Sequence, residues 1–397
     1  MPSPATLRNP LFEPVRDLVR KLHCPHCWHG FAPCDALFVA EDPRLLGDPV
    51  AGPAEPLRFL PSRFDLTGAA IDPEGARCTR LACPRCRQEF PRSMIELPAG
   101  IVSVVGSPGA GKSHLLASAA WCMRRQGAAL GLEIVDAEPR LNARLHAAEN
   151  MLFAGPSASR ATRLAKTETS GGDGYRAVRV DGRDETVPSP FVFRVRGTSA
   201  SRDERLLVLY DNAGEHFLPG ADEATRPVTR HLGRSEAIVF VLDPTQDAGF
   251  RAATALPEGA GVTARQDVVL AEMAARVRHH RGRRSDEPVD VPLVVAMAKA
   301  DLWARAVGVD LAGEPFAAGE VRVDRLREAH RALLAVCERA APEFLAAMRS
   351  GFQRMLLVPC SALGPEASGP IQPHWASAPF VAAWEWRVGG RLEGFEP

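Results

Sequence analysis

The chain has 397 residues, of which 46% are hydrophobic and 24% charged, with equal numbers of acidic and basic side chains. This length and balance predict two or three globular domains with a buried core. A net charge of zero gives no electrostatic preference for nucleic acid or for an anionic membrane.

Neither a membrane span nor an export signal is expected. No apolar run approaches the roughly 20 residues that cross a bilayer. The segment Met1 to Asn9 lacks the apolar core of a signal peptide. We therefore expect a cytoplasmic protein.

The cysteines cluster near the start of the chain, with six of nine before residue 90. Without an export signal, this clustering favours metal binding over disulfides. Two C-P-x-C knuckles each direct a pair of thiolates toward one ion, which predicts a closed, structural zinc site. The predicted ligands are Cys24, Cys27, Cys83 and Cys86. The sequence leaves open that four further residues are alternative ligands or a second, partial site: His23, His29, Cys34 and Cys78.

The two knuckles delimit a small zinc-ribbon-like module over residues 1–97. Their inner cysteines are 56 positions apart, more than the roughly 15–20 residues of a simple ribbon. The proline-rich segment between them is therefore read as an insertion. The module lacks the dense basic and aromatic pattern of a nucleic-acid surface. A structural or protein-docking role is favoured, and nucleic acid is left open.

A Gly-rich segment follows the apolar run 101–105 and precedes a helical stretch, 115–125. It matches G-x-x-x-x-G-K-S, whose backbone N–H groups and following helix N-terminus cradle a polyphosphate. Lys112 would reach the outer phosphates, and Ser113 would complete a Mg²⁺ shell. Only four of the 48 basic residues are lysine, so a lysine at this position is notable. The segment consists of Gly106, Ser107, Pro108, Gly109, Ala110, Gly111, Lys112 and Ser113.

From about residue 98, apolar runs alternate with amphipathic stretches, which predicts an α/β fold with a mostly parallel sheet and helices on both faces. The predicted strands are 101–105, 132–135, 191–195, 206–210, 237–242, 292–297 and 355–359. The predicted helices are 113–125, 139–152, 265–279, 324–349 with a break before Pro342, and 379–386. Ligands in such folds bind at the carboxyl ends of the strands.

Further motifs follow the predicted strands. After 206–210 comes Asp211-Asn212-Ala213-Gly214, where the carboxylate would hold Mg²⁺ and the glycine N–H would sense a γ-phosphate. After 292–297 comes Lys299-Ala300-Asp301. Its carboxylate can accept two hydrogen bonds from the N1–H and 2-amino group of guanine.

Another motif, Ser361-Ala362, follows the last predicted strand, and its backbone amide could meet the guanine carbonyl oxygen. Together and in this order, the motifs resemble the Ras-like (TRAFAC-class) P-loop GTPases over about residues 98–390. The resemblance implies a GTPase domain over residues 98–397, in which Asp301 reads guanine and Lys299 stacks on it. Ser361 and Ala362 would complete the base pocket.

The chain departs from that family's pattern at two positions. Ala298 replaces the Asn of N-K-x-D, which removes a side chain that buttresses the loop and would loosen guanine selectivity. Glu215 stands where active GTPases carry Gln or His, and a carboxylate there repels the γ-phosphate. Slow hydrolysis is therefore expected, with His216 or a partner's residue compensating.

The magnesium-binding threonine of the first switch should lie between the phosphate loop and Asp211, an interval of 98 positions from Ser113. Thr167 is the candidate, with Thr162 and Thr169 as alternatives. The candidate catalytic residues are therefore Glu215, His216 and Thr167, and the magnesium ligands are Ser113, Thr167 and Asp211.

The zinc-binding start, the long first-switch insertion and the Trp-containing end also resemble bacterial double-GTPase proteins. This resemblance implies a GTP-binding switch in a multi-component signalling or conflict system. Its partners would be proteins: an effector, an activator or a second GTPase. Two alternatives stay open, a P-loop ATPase and a non-catalytic nucleotide-binding scaffold.

Overall fold

The computed structural model describes residues 18–127, 131–154, 164, 174–197, 204–218, 220, 227–254, 256, 264–317, 320–365, 370–386 and 392. The chain divides into two compact units, Met1–Cys24 with His29–Pro98, and Pro25–Trp28 with Ala99–Pro397.

The amino-terminal unit is built from short antiparallel strands. Strands β10, β9, β3 and β6 form a sheet in that order, and the pairs β1–β2, β4–β5 and β7–β8 form separate two-stranded ladders. Asp65 shows how the turns close, because its carboxylate accepts hydrogen bonds from the N–H groups of Thr67 and Ala69. The elements are β1 Leu22–His23, β2 Gly30–Phe31, β3 Leu37–Val39, β4 Leu46–Asp48, β5 Gly52–Pro56, β6 Arg58–Phe59, β7 Ala70–Ile71, β8 Arg77–Cys78, β9 Leu81–Ala82, β10 Glu89–Phe90 and helix α1 Ser93–Glu96.

Within the described residues, the larger unit contains a seven-stranded sheet in the order β12-β15-β16-β11-β17-β18-β21. Strands β16, β11, β17, β18 and β21 are mutually parallel, and β15 runs antiparallel to both of its neighbours. The strands are β11 Ala99–Gly106, β12 Leu132–Asp136, β13 Tyr175–Val180, β14 Arg183–Pro188, β15 Pro190–Gly197, β16 Glu204–Asp211, β17 Ala237–Leu242, β18 Leu293–Met297, β19 Phe316–Ala317, β20 Glu320–Val321 and β21 Met355–Pro359.

Helices cover both faces of this sheet, because successive residues of strands such as β17 and β18 enter different apolar cores. Val239 and Val241 belong to one core, whereas Ile238 and Phe240 belong to the other. The first core includes α2 and α9, and the second includes α5 and α8. The helices are α2 Lys112–Gln126, α3 Ala143–Glu149, α4 Ala248–Thr254, α5 Gln266–His280, α6 Ala300–Trp303, α7 Val323–Ala340, α8 Pro342–Gly351 and α9 Ala378–Trp384.

The prediction of a mixed α/β fold with a mostly parallel sheet is confirmed, and all seven predicted strands lie in that one sheet. The predicted long helix 324–349 is divided at Ala341, which separates α7 from α8 just before Pro342. The predicted helix 139–152 begins later, at Ala143. Its preceding residue, Asn142, exchanges two hydrogen bonds with the backbone of Val192 in β15.

Sequence periodicity did not predict the β13–β14 hairpin, helix α4 or the 3₁₀ helix Pro227–Arg234. Among the helices of the described part of the chain, none is both long and apolar enough to cross a membrane.

Candidate nucleotide site and cysteine cluster

The phosphate-loop segment joins β11 to α2, as its sequence predicted. Gly109 and Gly111 have positive φ angles of 74° and 89°, which glycine adopts without a Cβ clash. The Lys112 ammonium is buried and donates to the carbonyl oxygens of Gly106 and Ser107, both at 2.9 Å. A cavity of about 190 Å³ opens here, and its lining includes Lys112, Ser113 and Pro108. The loop therefore forms one wall of an open cavity next to Lys112.

Gly214 of the D-x-x-G segment lies directly against the phosphate-loop backbone. A Cβ at this residue would stand 2.5 Å from both the Gly106 oxygen and the Pro108 nitrogen. No side chain fits at that distance, so the close approach requires glycine. Gly214 and Ala213 also line the cavity, so the structure brings these two motifs together.

Asp211, the predicted magnesium ligand, ends β16 and is almost completely buried. Its Oδ2 lies 3.6 Å from a guanidinium nitrogen of Arg144, on α3. The Arg144 guanidinium also stacks over the Phe191 ring, 4.8 Å from its centroid. A carboxylate oxygen suits Mg²⁺, but an ion at Asp211 would share this carboxylate with the arginine. The sequence reasoning missed Arg144.

The two candidate catalytic residues after Gly214, Glu215 and His216, lie in different surroundings. Glu215 lines the cavity together with Lys112 and Ser113. His216 is buried, and its ring packs edge-on against Tyr175 at 5.4 Å. Leu164 lines the cavity as well, whereas the predicted switch threonine, Thr167, lies outside the described residues.

The predicted base-reading residues meet at the ends of β18 and β21. The Ser361 hydroxyl donates to Oδ1 of Asp301 and accepts a hydrogen bond from the Gly364 N–H at 2.9 Å. The carbonyl oxygen of Ala362 accepts from the hydroxyl of Ser118, on α2, at 2.8 Å. The structure thus connects Asp301 with the Ser361-Ala362 segment, and connects that segment with the helix that follows the phosphate loop.

Lys299 has a partner that the sequence reasoning did not name. Its Nζ donates to Oδ2 of Asp243 at 2.6 Å, and the Asp243 side chain is fully buried. Asp243 immediately follows β17, the strand between those that carry the phosphate loop and the K-x-D segment. A rule that ligand-handling residues follow strand ends would have found it.

A buried network of hydrogen bonds connects Asn212 of the D-x-x-G segment with β11. The fully buried His231 ring lies between Ser103 of β11, 2.6 Å from Nδ1, and Asn212, whose Oδ1 is 2.9 Å from Nε2. Asn212 Nδ2 donates to the Val104 carbonyl, so its Oδ1 is free to accept from Nε2–H. Burial and, to a smaller extent, nearby His280 lower the pKa of His231 to about 3. The ring is therefore neutral.

Tyr175, at the start of the β13–β14 hairpin, also contacts the D-x-x-G segment. Its hydroxyl accepts a hydrogen bond of 2.9 Å from the Ala213 N–H. Burial raises the pKa of this phenol, so it stays protonated and retains its hydroxyl hydrogen. The hairpin between the phosphate loop and β16 therefore fixes the backbone next to Gly214.

The four predicted zinc ligands lie together. The sulfur atoms of Cys24, Cys27, Cys83 and Cys86 all lie within 4.8 Å of one another, and all four residues are buried. Those of Cys24 and Cys86 are 3.6 Å apart, close to the roughly 3.8 Å expected when four Zn–S bonds of about 2.3 Å form a tetrahedron. Within the described residues, no other three or more His, Cys, Asp or Glu side chains lie close enough together to share a metal ion.

The two knuckles share one backbone form. The Cys24 N–H bonds to the His29 carbonyl and the Cys83 N–H to that of Gln88, each across a short antiparallel hairpin. Cys34 and Cys78 lie outside the cluster. The donor set therefore fits a structural zinc ion.

Comparison with known proteins gives only distant structural likeness. No protein-family model matches the chain, and no curated protein matches it. The signal recognition particle receptor SRb-GTP/SRX complex of Chaetomium thermophilum is 16% identical, with 74% of this chain and 97% of that one covered and a TM-score of 0.26. The GTP-bound Ski7 GTPase-like domain of S. cerevisiae is 17% identical, with 76% and 51% covered and a TM-score of 0.34.

A third solved structure, Sup35 complexed with GDP, is 13% identical, with 72% and 45% covered and a TM-score of 0.26. This chain thus spans about half the length of the Sup35 and Ski7 chains. At these identities and TM-scores, the likeness carries no argument about function, which has to come from the site.

We expect the protein to become less stable as the pH is lowered, because His231 is buried in its neutral form. The unfolded chain takes up a proton there near pH 6.5, whereas the folded chain does not until about pH 3. Between these values, the free energy of unfolding should fall by about 1.4 kcal/mol per pH unit from this residue alone. His280 and His330, with pKa values lowered by burial to about 4, add a decrease of the same sign.

Urea denaturation of the wild type and of His231→Gln between pH 6.5 and 4.5 measures this contribution. The variant should lose less stability per pH unit, whatever its stability at pH 7. Parallel slopes would contradict a neutral, buried His231.

Purified protein should contain one zinc ion per chain, because the four buried thiols complete a tetrahedral shell. Cys83→Ser should remove most of the zinc and destabilise the amino-terminal unit, as measured by atomic absorption and thermal unfolding. Cys34→Ser, at an exposed cysteine outside the cluster, is the matched control and should keep the metal. Full zinc content in Cys83→Ser would rule out the four-thiolate site.

Proposed function

We propose that the chain binds GTP with Mg²⁺ and acts as a slowly hydrolysing molecular switch. The observation that carries this proposal is the arrangement at one edge of the sheet. The Lys112 loop lines a cavity of about 190 Å³, and Asp301, anchored by Ser361, follows a strand of the same sheet. Phosphate recognition and purine recognition would thus be performed by residues that follow strands of one sheet.

Asp301 accounts for the proposed preference for guanine. A carboxylate accepts hydrogen bonds but donates none, so it matches the paired donors of guanine and repels the adenine edge. Its Oδ1 already accepts from Ser361, which fixes the direction of the carboxylate. This feature favours a GTP-binding protein over the alternative of a P-loop ATPase.

The phosphate side would work through the residues that line the cavity. Lys112 would exchange its two carbonyl partners for phosphate oxygens, and the Gly214 N–H would meet a γ-phosphate. Ser113 and Asp211 would hold Mg²⁺, which neutralises charge on the phosphates when bound. Thr167 is proposed as the ligand from the first switch.

Hydrolysis is proposed to be slow because Glu215 lines the cavity. A carboxylate there repels the γ-phosphate and cannot orient water as a neutral glutamine does. The same observation supports a second candidate function, a nucleotide-binding scaffold that hydrolyses nothing. His216 packs on Tyr175, so it would need to move before it could replace the glutamine.

We further propose that the protein works beside a second GTPase in a bacterial multi-component signalling or conflict system. The supporting features are the cysteine cluster, the long segment between α2 and β16, and the tryptophans near the end of the chain. The cysteine module would serve as a docking element for protein partners.

Titration of the wild type with fluorescent GDP, GTP and ATP analogues, with and without Mg²⁺, tests the proposed function. We expect guanine nucleotides to bind at least tenfold more tightly than ATP. Asp301→Asn should shift the preference from guanine to xanthine nucleotides, because the amide supplies a donor to the xanthine carbonyl oxygen. Equal binding of ATP and GTP by the wild type would refute the assignment.

Phosphate release under single-turnover conditions tests the role of Glu215. Glu215→Gln should hydrolyse GTP about tenfold faster than the wild type, since it removes the charge and supplies a neutral group that orients water. Its affinity for GDP, which has no γ-phosphate, should stay unchanged and serves as the internal control. A slower Glu215→Gln would instead identify the carboxylate as a catalytic base.

A further inference from the structure

We infer that Asp243 is the residue that positions the base-reading lysine, in place of the side chain that Ala298 lacks. The inference rests on the proposed guanine pocket and adds a specificity-determining residue to it. Asp243 would not contact the nucleotide. It would act through Lys299 and the turn that presents Asp301.

The Asp243 carboxylate is buried, and each of its oxygens has partners. Oδ2 accepts from Lys299 Nζ at 2.6 Å and from Gln246 Nε2 at 3.0 Å. Oδ1 accepts from the N–H and the hydroxyl of Thr245, at 3.0 and 2.7 Å. Four hydrogen bonds hold this buried carboxylate in one orientation. It therefore offers a fixed point for a flexible lysine.

Lys299 needs such a fixed point. Its backbone lies in the left-handed region with φ of 56°, which a residue with a Cβ adopts only when its surroundings enforce it. Its side chain is 40% exposed, so packing alone does not hold the stem. The charge-assisted hydrogen bond to Asp243 sets the direction of the stem, and so holds the first residue of the turn that ends at Asp301.

A buried glutamine connects Asp243 with the phosphate loop. Gln266, the first residue of α5, donates from Nε2 to the Asp243 carbonyl and accepts at Oε1 from the Asp243 N–H, both at 2.8 Å. The same Oε1 accepts from the Ser107 hydroxyl at 3.3 Å. Asp243 is thus connected to the base-reading turn on one side and to the phosphate loop on the other.

This connection explains how the chain tolerates Ala298. The alanine is 6% exposed, and its methyl group offers no hydrogen bond to either loop. An asparagine at this position would buttress the loop directly. In this chain Asp243 and Gln266, from two other elements, supply the missing hydrogen bonds.

Asp243→Asn tests the inference selectively. The variant keeps an acceptor for Thr245 but can turn an NH₂ group toward Lys299 and Gln246, both of which are donors. We expect GDP affinity to fall about tenfold, the effect of losing one charge-assisted hydrogen bond. Affinity for inorganic tripolyphosphate should stay within about twofold, because the phosphate loop is retained. Calorimetry measures both values, and competition with ADP gives the base selectivity.

Controls separate positioning from general damage. Asp247→Asn changes a nearby carboxylate that caps α4 through the Phe250 N–H, and should leave GDP affinity unchanged. Adding Ala298→Asn to Asp243→Asn should restore part of the lost GDP affinity, which a merely destabilised protein would not show. Should Asp243→Asn fail to fold, Thr245→Val is the milder variant. It removes only the hydroxyl that donates to the Asp243 carboxylate, and should weaken GDP binding about threefold.

The outcomes are distinguishable. A wild type without preference for GDP over ADP would overturn the proposed function, and this inference with it. A wild type that prefers GDP, with an Asp243→Asn variant that binds GDP equally well, would overturn this inference alone. Equal losses for GDP and tripolyphosphate would also overturn it, because they would show a structural role for Asp243 rather than a role at the base.

Discussion

The parallel pairing of β16, β11, β17, β18 and β21 is the constraint on which the rest of the site depends. Parallel strands end at the same edge of a sheet, so whatever residues follow them are brought together. Four of these strands are followed or ended by polar or glycine-rich motifs. These are the phosphate loop, Asp211, the Lys299–Asp301 turn and Ser361. The fifth, β17, is followed by Asp243, which binds Lys299. No single motif makes the site.

The core packing makes that edge rigid. Every residue of β17 and of β18 is buried, and neighbouring residues of each strand pack into two separate cores. Shifting such a strand by one residue would exchange the two faces and move its carboxyl end. The polar groups that follow the strands are therefore placed by apolar contacts. The hydrogen bonds of these polar side chains then set the direction in which each one points, rather than its position.

The sequence predicted the parts of the fold that have strong periodicity. All seven sheet strands, the phosphate loop and the four-cysteine cluster follow from apolar runs, glycine spacing and paired C-x-x-C elements. It did not predict the β13–β14 hairpin, because charged side chains interrupt the apolar residues of both strands. Nor did it predict the partners Arg144, Asp243 and Gln266. Arg144 and Gln266 lie in unremarkable segments. Asp243 follows a predicted strand end, but its hydrogen bond to Lys299 is visible only in the three-dimensional packing.

The segment between α2 and β16 has one further consequence for a switch. Tyr175 belongs to this segment, and its hydroxyl holds the Ala213 N–H next to Gly214. His216, on the other side of Gly214, packs against the same ring. Gly214 itself has no room to move toward the phosphate loop, because it already contacts it. A movement of the D-x-x-G segment away from the loop would break the Tyr175 contact, which in the proposed switch would link the nucleotide state to the position of the hairpin.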